Sequence, residues 1–380
     1  MKPRLGRLLV CTGLLAASPC VATAQVEQWT LERTVTIGET LDDPETGLTW
    51  VGDVVVFDER LFVEQPRESC LRIFSLAGEF LGVLGREGEG PGEFGYVNGL
   101  GVRDGLLWAW DSLLGRVQYF DPGGEYVSSL RIRGHPTLPI IGLEVHAVLA
   151  DGSMLARSLR DASQQAAYPD RPEHVIRLDE RGSLRDTVSL LVGSPSVVRL
   201  GTTSGGGVGY TMLPESYRSQ FSPHADGSGF VVLHREAAES AEPHTFRVIR
   251  FDASADTVWE RDIQYDPIPV TSAWRLQHLK ERDDLSAPML RELSRAYRRL
   301  EFFPPVRQAK AGADGTTWLR VRAGVDAWEW EVLDPSGRPI ARVGGSPQGW
   351  LKWAGTDALW FLEHDEFDVP YLVRYAIRRS

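Results

Sequence analysis

The stretch DGLLWAWDSLLGRVQYFDPGGEY, Asp104 to Tyr126, decides the fold. It opens on an Asp-Gly pair, runs through an apolar, Trp-rich strand, turns at Ser112–Gly115, alternates through RVQYF and turns again at Asp-Pro-Gly-Gly. Gly and Asp accept positive φ cheaply, so such pairs between alternating apolar runs are hairpin signals. Outward from this stretch the same two motifs recur. The turn-then-strand motif is FDERLFVEQ from Phe57, RDGLLWAWD from Arg103, ADGSMLARS from Ala150, ADGSGFVVLH from Ala225, ADGTTWLRV from Ala313 and GTDALWFLE from Gly355. The strand–turn–strand motif is RIFSLAGEFLGVL from Arg72, RVQYFDPGGEYVSSL from Arg116, HVIRLDERGSLRDTV from His174, FRVIRFDASADTVWE from Phe246 and WEVLDPSGRPIARV from Trp330. YLVRYAIRRS from Tyr371 ends that series.

Strict alternation of the two motifs makes each unit four antiparallel strands, and six tandem units predict an all-β, six-bladed β-propeller. The last unit lacks its outer strand. LERTVTIG, Leu31–Gly38, supplies it and closes the ring by pairing the N-terminus with the C-terminal blade.

These residues resemble bacterial exported six-bladed propellers of the NHL-repeat type, most densely in GREGEGPGEF, Gly85–Phe94, and in Asp104–Tyr126. The resemblance implies that Asp111 and Arg116 lock their hairpin to its neighbour, a pair that only the second blade carries. It implies little about activity, because propellers host binding, scaffolding and catalysis alike.

The chain has 380 residues, 42% of them hydrophobic, with 38 Gly and 12 Trp, which excludes a low-complexity polymer. Residues 1–24 read as a signal peptide: Lys2, Arg4 and Arg7 precede the apolar stretch Leu8–Ala17, and Ala22-Thr23-Ala24 offers a cleavage site. That leaves 25–380 as one propeller domain, exported to the periplasm or the cell exterior, with no membrane span after cleavage. Losing three cations and no anion takes the formal charge from −11 to −14. A net negative chain without a Lys/Arg run is a poor nucleic-acid binder. Cys11 and Cys20 leave with the signal, so Cys70 stands alone and reads as a small core residue.

In a four-stranded blade the first-to-second and third-to-fourth turns share one face; the second-to-third loops and blade crossings share the other. The first set is uniformly short. The long connections, Arg160–Glu173, Gly193–Ser222, Glu236–His244 and Tyr265–Val306, all belong to the second, where function on a rigid scaffold concentrates. The last of them, between blades four and five, predicts a helical insertion over about 272–300. Ser272 caps a first helix, and Ser286 with Pro288 starts a second. Met289, Leu290, Leu293, Tyr297 and Leu300 form an apolar face expected to pack down onto the propeller. Arg291, Arg295 and Arg298, with Arg299, form an opposite cationic face, either a solvated surface or a lid over the channel for an anionic ligand. Trp350 is a candidate for stacking on a sugar or peptide.

Catalytic signatures are sparse. No His pair has zinc-ligand spacing, no GxSxG is present, and Thr203–Gly207 reads as a loop. Glu87, Glu89, Glu93 and Asn98 could hold a divalent cation such as Ca2+, the one cofactor considered. Related gluconolactonase-like hydrolases hold such an ion in the channel with Glu, Asn and Asp from separate blades. The favoured expectation is a non-catalytic propeller binding a protein, peptide or glycan through its loop-rich face. The alternative is a metal-dependent hydrolase or lyase acting at the channel.

Overall fold

A computed structural model describes residues 26–39, 43–132, 143–158, 173–191, 197–202, 208–213, 215, 217–235, 243–345 and 347–379. The expected signal peptide, the Thr203–Gly207 loop and most of the 160–173 and 236–244 loops lie outside the described residues.

The N-terminal strand β1 (Glu27–Ile37) is followed by five groups of four strands and a last group of three, which β1 itself completes. Blade one is β2 (Val54–Phe57), β3 (Arg60–Gln65), β4 (Cys70–Ser75) and β5 (Phe80–Leu84). Blade two is β6 (Val97–Arg103), β7 (Leu106–Asp111), β8 (Arg116–Phe120) and β9 (Tyr126–Arg131). Blade three is β10 (Leu143–Val148), β11 (Met154–Ser158), β12 (Glu173–Leu178) and β13 (Leu184–Leu191). A separate hairpin, β14 (Val197–Thr202) and β15 (Val208–Met212), precedes blade four, which is β16 (Gln220–Pro223), β17 (Gly229–His234), β18 (Thr245–Asp252) and β19 (Thr257–Gln264). Helices α1 (Ser272–Lys280) and α2 (Ala287–Arg298) come next. Blade five is β20 (Val306–Ala311), β21 (Thr317–Arg322), β22 (Trp328–Leu333) and β23 (Pro339–Val343). Blade six is β24 (Trp350–Ala354), β25 (Ala358–His364), β26 (Pro370–Arg379) and β1.

Short turns set this pattern. Asp104 and Gly105 take φ of 51° and 72°, and Asp58 and Glu59 take 48° and 59°, the paired positive values of a two-residue hairpin turn. Ring closure goes further than expected. β1 pairs antiparallel with β26 from Trp29↔Arg379 to Ile37↔Leu372, yet its first residues also pair in parallel with β23, Glu27↔Ala341 to Trp29↔Val343. Blades five and six thus form one eight-stranded sheet, and Trp29 packs on Trp318 of blade five.

Between neighbouring blades lie six apolar cores. Phe62, Phe94 and Phe120 fill the first gap, Trp110, Val145 and Ile176 the second, and Leu155, Phe230 and Phe251 the third. Leu233, Val248 and Leu319 fill the fourth, Trp330 and Phe361 the fifth, and Leu61, Phe74 and Trp360 the one that shuts the ring. Each fully buried Phe or Leu contributes about 2 kcal/mol. Arginines on second and third strands reinforce the joints by donating to carbonyls of the next blade: Arg60 to Pro122, Arg177 to Ser254, and Arg250 to Gly315 and Pro335.

The helical insertion is there, with two differences from expectation. Thr271, not Ser272, caps α1, its hydroxyl accepting from the Trp274 N–H at 3.1 Å. The apolar face of α2 packs mainly on the β14–β15 hairpin and α1: Leu293, Tyr297 and Leu300 share a seventh core with Leu200, Trp274 and Phe303. Arg275 ties the helices together, donating to the carbonyls of Tyr297 and Leu300 at the end of α2, at 3.0 and 2.6 Å. Tyr217 donates to the Phe302 carbonyl and Arg282 to the Thr211 hydroxyl, so both insertions form one body.

Candidate functional site

The inner strands surround an axial cavity of about 280 Å³. The turn after β16 closes it on the short-turn face. The Ala225 carbonyl accepts from the Val102 N–H of blade two at 2.9 Å, and His224 Nδ1 donates to the Gly312 carbonyl of blade five at 2.8 Å. Gly227, at φ 71°, lies so near blade three that a Cβ would sit 2.3 Å from the Val148 carbonyl. Three blades therefore hold this turn on the ring axis. Burial holds the His224 imidazole below its usual pKa, which suits a ring that donates a single hydrogen bond.

Two polar clusters stand at the wall. On the side of blades one, five and six, Glu64 is 1% exposed, and its carboxylate accepts from the Asp53 N–H at 3.0 Å. Burial, and then the charge of Asp53, push the Glu64 carboxyl well above the usual carboxylate range. Lys352 Nζ donates to the Gly52 carbonyl at 2.7 Å, while Lys310 lines the cavity. Burial lowers both ammonium groups. On the side of blades three and four, Glu144 meets His146 at 3.4 Å and Arg157 at 3.2 Å. Burial alone would raise the Glu144 carboxyl, but these two partners outweigh it and hold it below its usual value. Glu173, also buried, pairs with Arg218 and lies 3.9 Å from Arg157. Asp53, His146, Arg157 and Lys310 all line the cavity, and local spacing signalled none of them.

Glu87, Glu89, Glu93 and Asn98 are not brought together. Glu87 and Glu89 are exposed. Glu93 is held by Arg86 at 2.7 Å and by the Gly90 N–H at 2.9 Å, while Asn98 sits on the inner strand β6 with a buried, unpartnered Oδ1. Among the described residues no group of three or more His, Cys, Asp or Glu side chains is placed to hold a metal ion. The Gly85–Phe94 loop is instead bound to blade two. Arg116 donates to the carbonyls of Glu89, Gly90 and Glu93 at 2.8–2.9 Å. Asp111, fully buried, accepts from the N–H groups of Gly95, Tyr96 and Leu114 at 3.0–3.2 Å and lies 3.5 Å from Arg116.

Arg291, Arg295 and Arg298 occupy the exposed side of α2, where Arg295 pairs with Glu292 at 2.6 Å. No residue of either helix lines the axial cavity. Trp350, 42% exposed at the start of β24, carries the Arg307 guanidinium 5.2 Å from its ring centre. The same guanidinium lies 5.7 Å from Trp328, and Arg322 lies 4.1 Å from that ring, so a cation–aromatic cluster borders the loop-rich face.

Residues 39–138 match a family described as DUF5128, a 6-bladed beta-propeller. No curated protein matches the chain in sequence. Among solved structures, a member of the duf4221 family from Bacteroides vulgatus is 11% identical with a TM-score of 0.53, covering 94% of this chain and 99% of its own. A protein of Bacteroides fragilis assigned as exported is 12% identical at a TM-score of 0.46, with 93% and 95% covered. The calcium-binding protein regucalcin from Agrobacterium tumefaciens is 12% identical at 0.42, with 93% and 97% covered. At such identities the likeness is one of fold. Among the described residues no helix is long and apolar enough to cross a membrane.

Proposed function

We propose that the protein is an exported binding propeller that takes a protein, peptide or glycan on its loop-rich face, without catalysis. One observation carries the reading: the two long blade crossings, far apart in sequence, share a core and build one body on the same face. Ordering so many residues costs about 1–2 kcal/mol of backbone entropy each, an outlay the ring itself does not need for closure. The opposite face has only tight turns. Exposed Arg291, Arg295 and Arg298 on α2, and Trp350 at the ring edge, give the elaborated face cationic and aromatic contact groups of the kind enriched at interfaces.

Peptide and glycan arrays probed with the mature protein test the reading. A first variant, Arg291→Glu/Arg295→Glu/Arg298→Glu with Trp350→Ala, should lose at least about tenfold of any captured signal while melting normally. A second, with 197–212 and 272–298 both replaced by short linkers, removes the shared core as a unit. Undiminished capture by both variants would refute the reading.

A further inference from the structure

The axial cavity presents a second kind of site. Asp53 and Lys310 both line it, and among the described residues neither side chain makes a hydrogen bond or an ion pair. Their neighbours are committed: Lys352 donates to the Gly52 carbonyl, Glu64 accepts from the Asp53 N–H, and Arg157 is paired with Glu144. One carboxylate and one ammonium are thus left without a bonded partner at the same cavity, where Lys310 and Lys352 both feel the charge of Asp53. Both side chains are half-buried, and a charge held partly out of water without a partner is costly, so a ligand that answers both charges at once gains twice. The indole N–H of Trp353, buried and unpartnered, lines the same cavity, as do the apolar side chains of Leu100, Val148 and Phe221.

We infer that the axial cavity binds a small zwitterion of the free α-amino acid class. Lys310 and the Trp353 N–H receive its carboxylate, Asp53 its ammonium, and the apolar wall its side chain. A plain carboxylate would be repelled by Asp53 and a plain amine by Lys310. The volume is about twice that of a 150 Å³ cavity able to admit benzene, which suits a ligand of this size. The site is distinct from the partner face and does not depend on it.

The test adds L-amino acids one at a time to the mature full-length protein, read by thermal shift and then by calorimetric titration. At least one should raise the melting temperature. Its N-acetyl and its carboxamide derivatives should each bind at least about tenfold more weakly, because each lacks one charge. Lys310→Met and Asp53→Asn should each weaken binding by a similar factor, with circular dichroism checking that both fold. If either variant fails to fold, the derivative comparison on the unaltered protein still decides. No shift with any amino acid, or equal binding of the N-acetyl form, overturns the inference.

Discussion

Replacing Asp111 with Ala should destabilise the ring by about 4 kcal/mol. The carboxylate is fully buried and accepts three backbone N–H groups, from Gly95, Tyr96 and Leu114. A buried donor left without an acceptor costs about 1–3 kcal/mol, and these three, only partly buried, fall at the low end of that range. Removing the charge beside Arg116, 3.5 Å away, also leaves a buried guanidinium uncompensated, and breaking a buried pair from one side costs about 3–5 kcal/mol. The two costs overlap, because the freed N–H groups and Arg116 can relax together, hence a total nearer the middle of the range than the sum. With an unfolding entropy of about 2 cal/mol/K per residue, a 380-residue chain would lose about 5 °C of melting temperature. Asp111→Asn separates the contributions. Its remaining oxygen still serves Tyr96 and Leu114, while its amide opposes the Gly95 N–H and Arg116, so it should cost about half as much. Urea unfolding with calorimetry measures both variants. A loss below about 1 kcal/mol for Ala, or equal losses for Ala and Asn, would refute the account of Asp111 as the acceptor that fixes the first blade crossing.

Two other outcomes follow from buried titratable groups. Because the folded Glu64 carboxyl is raised, the unfolded chain releases this proton first as pH climbs through 4.5; the group's stabilising contribution is present below that pH and is lost as pH rises towards its folded value. Glu64→Gln keeps an acceptor for the Asp53 N–H without the charge, so it should be more stable than the parent at neutral pH, with the gap closing near pH 4.5. Thermal melts across that pH range check it, and a variant less stable at pH 7 would contradict it. The Cys70 thiol, buried and pushed up to about 11, should resist a thiol-directed dye in the native protein at about pH 8 and react fully in denaturant. Rapid native labelling would mean that the start of β4 opens.

The readable and unreadable parts of this chain differ in range. Blade order and turn positions were legible because hairpins are written locally, in Asp104-Gly105 or Pro122-Gly123-Gly124, and alternation does the rest. Phe94, at the end of the Gly85–Phe94 stretch, packs with Phe62 and Phe120 in the first inter-blade core. The β14–β15 hairpin had a visible signal too, VVRLGT and VGYTM flanking a Gly-rich tip, but it lay inside a crossing already accounted for as a loop. The closing strand was read as Leu31–Gly38 and begins at Glu27, since its first residues pair with β23, a partner more than 300 residues away.

By itself, then, the sequence determined the repeating four-stranded unit, the all-β propeller built from it and the N-terminal strand that closes the ring. Each follows from periods and turns a few residues long. Only the tertiary structure decided that the two insertions share one core, that the His224–Gly227 turn lies across the axis, and that Asp53 and Lys310 line one cavity. A propeller gathers such residues from different blades, so their distance in space has no counterpart in their spacing along the chain.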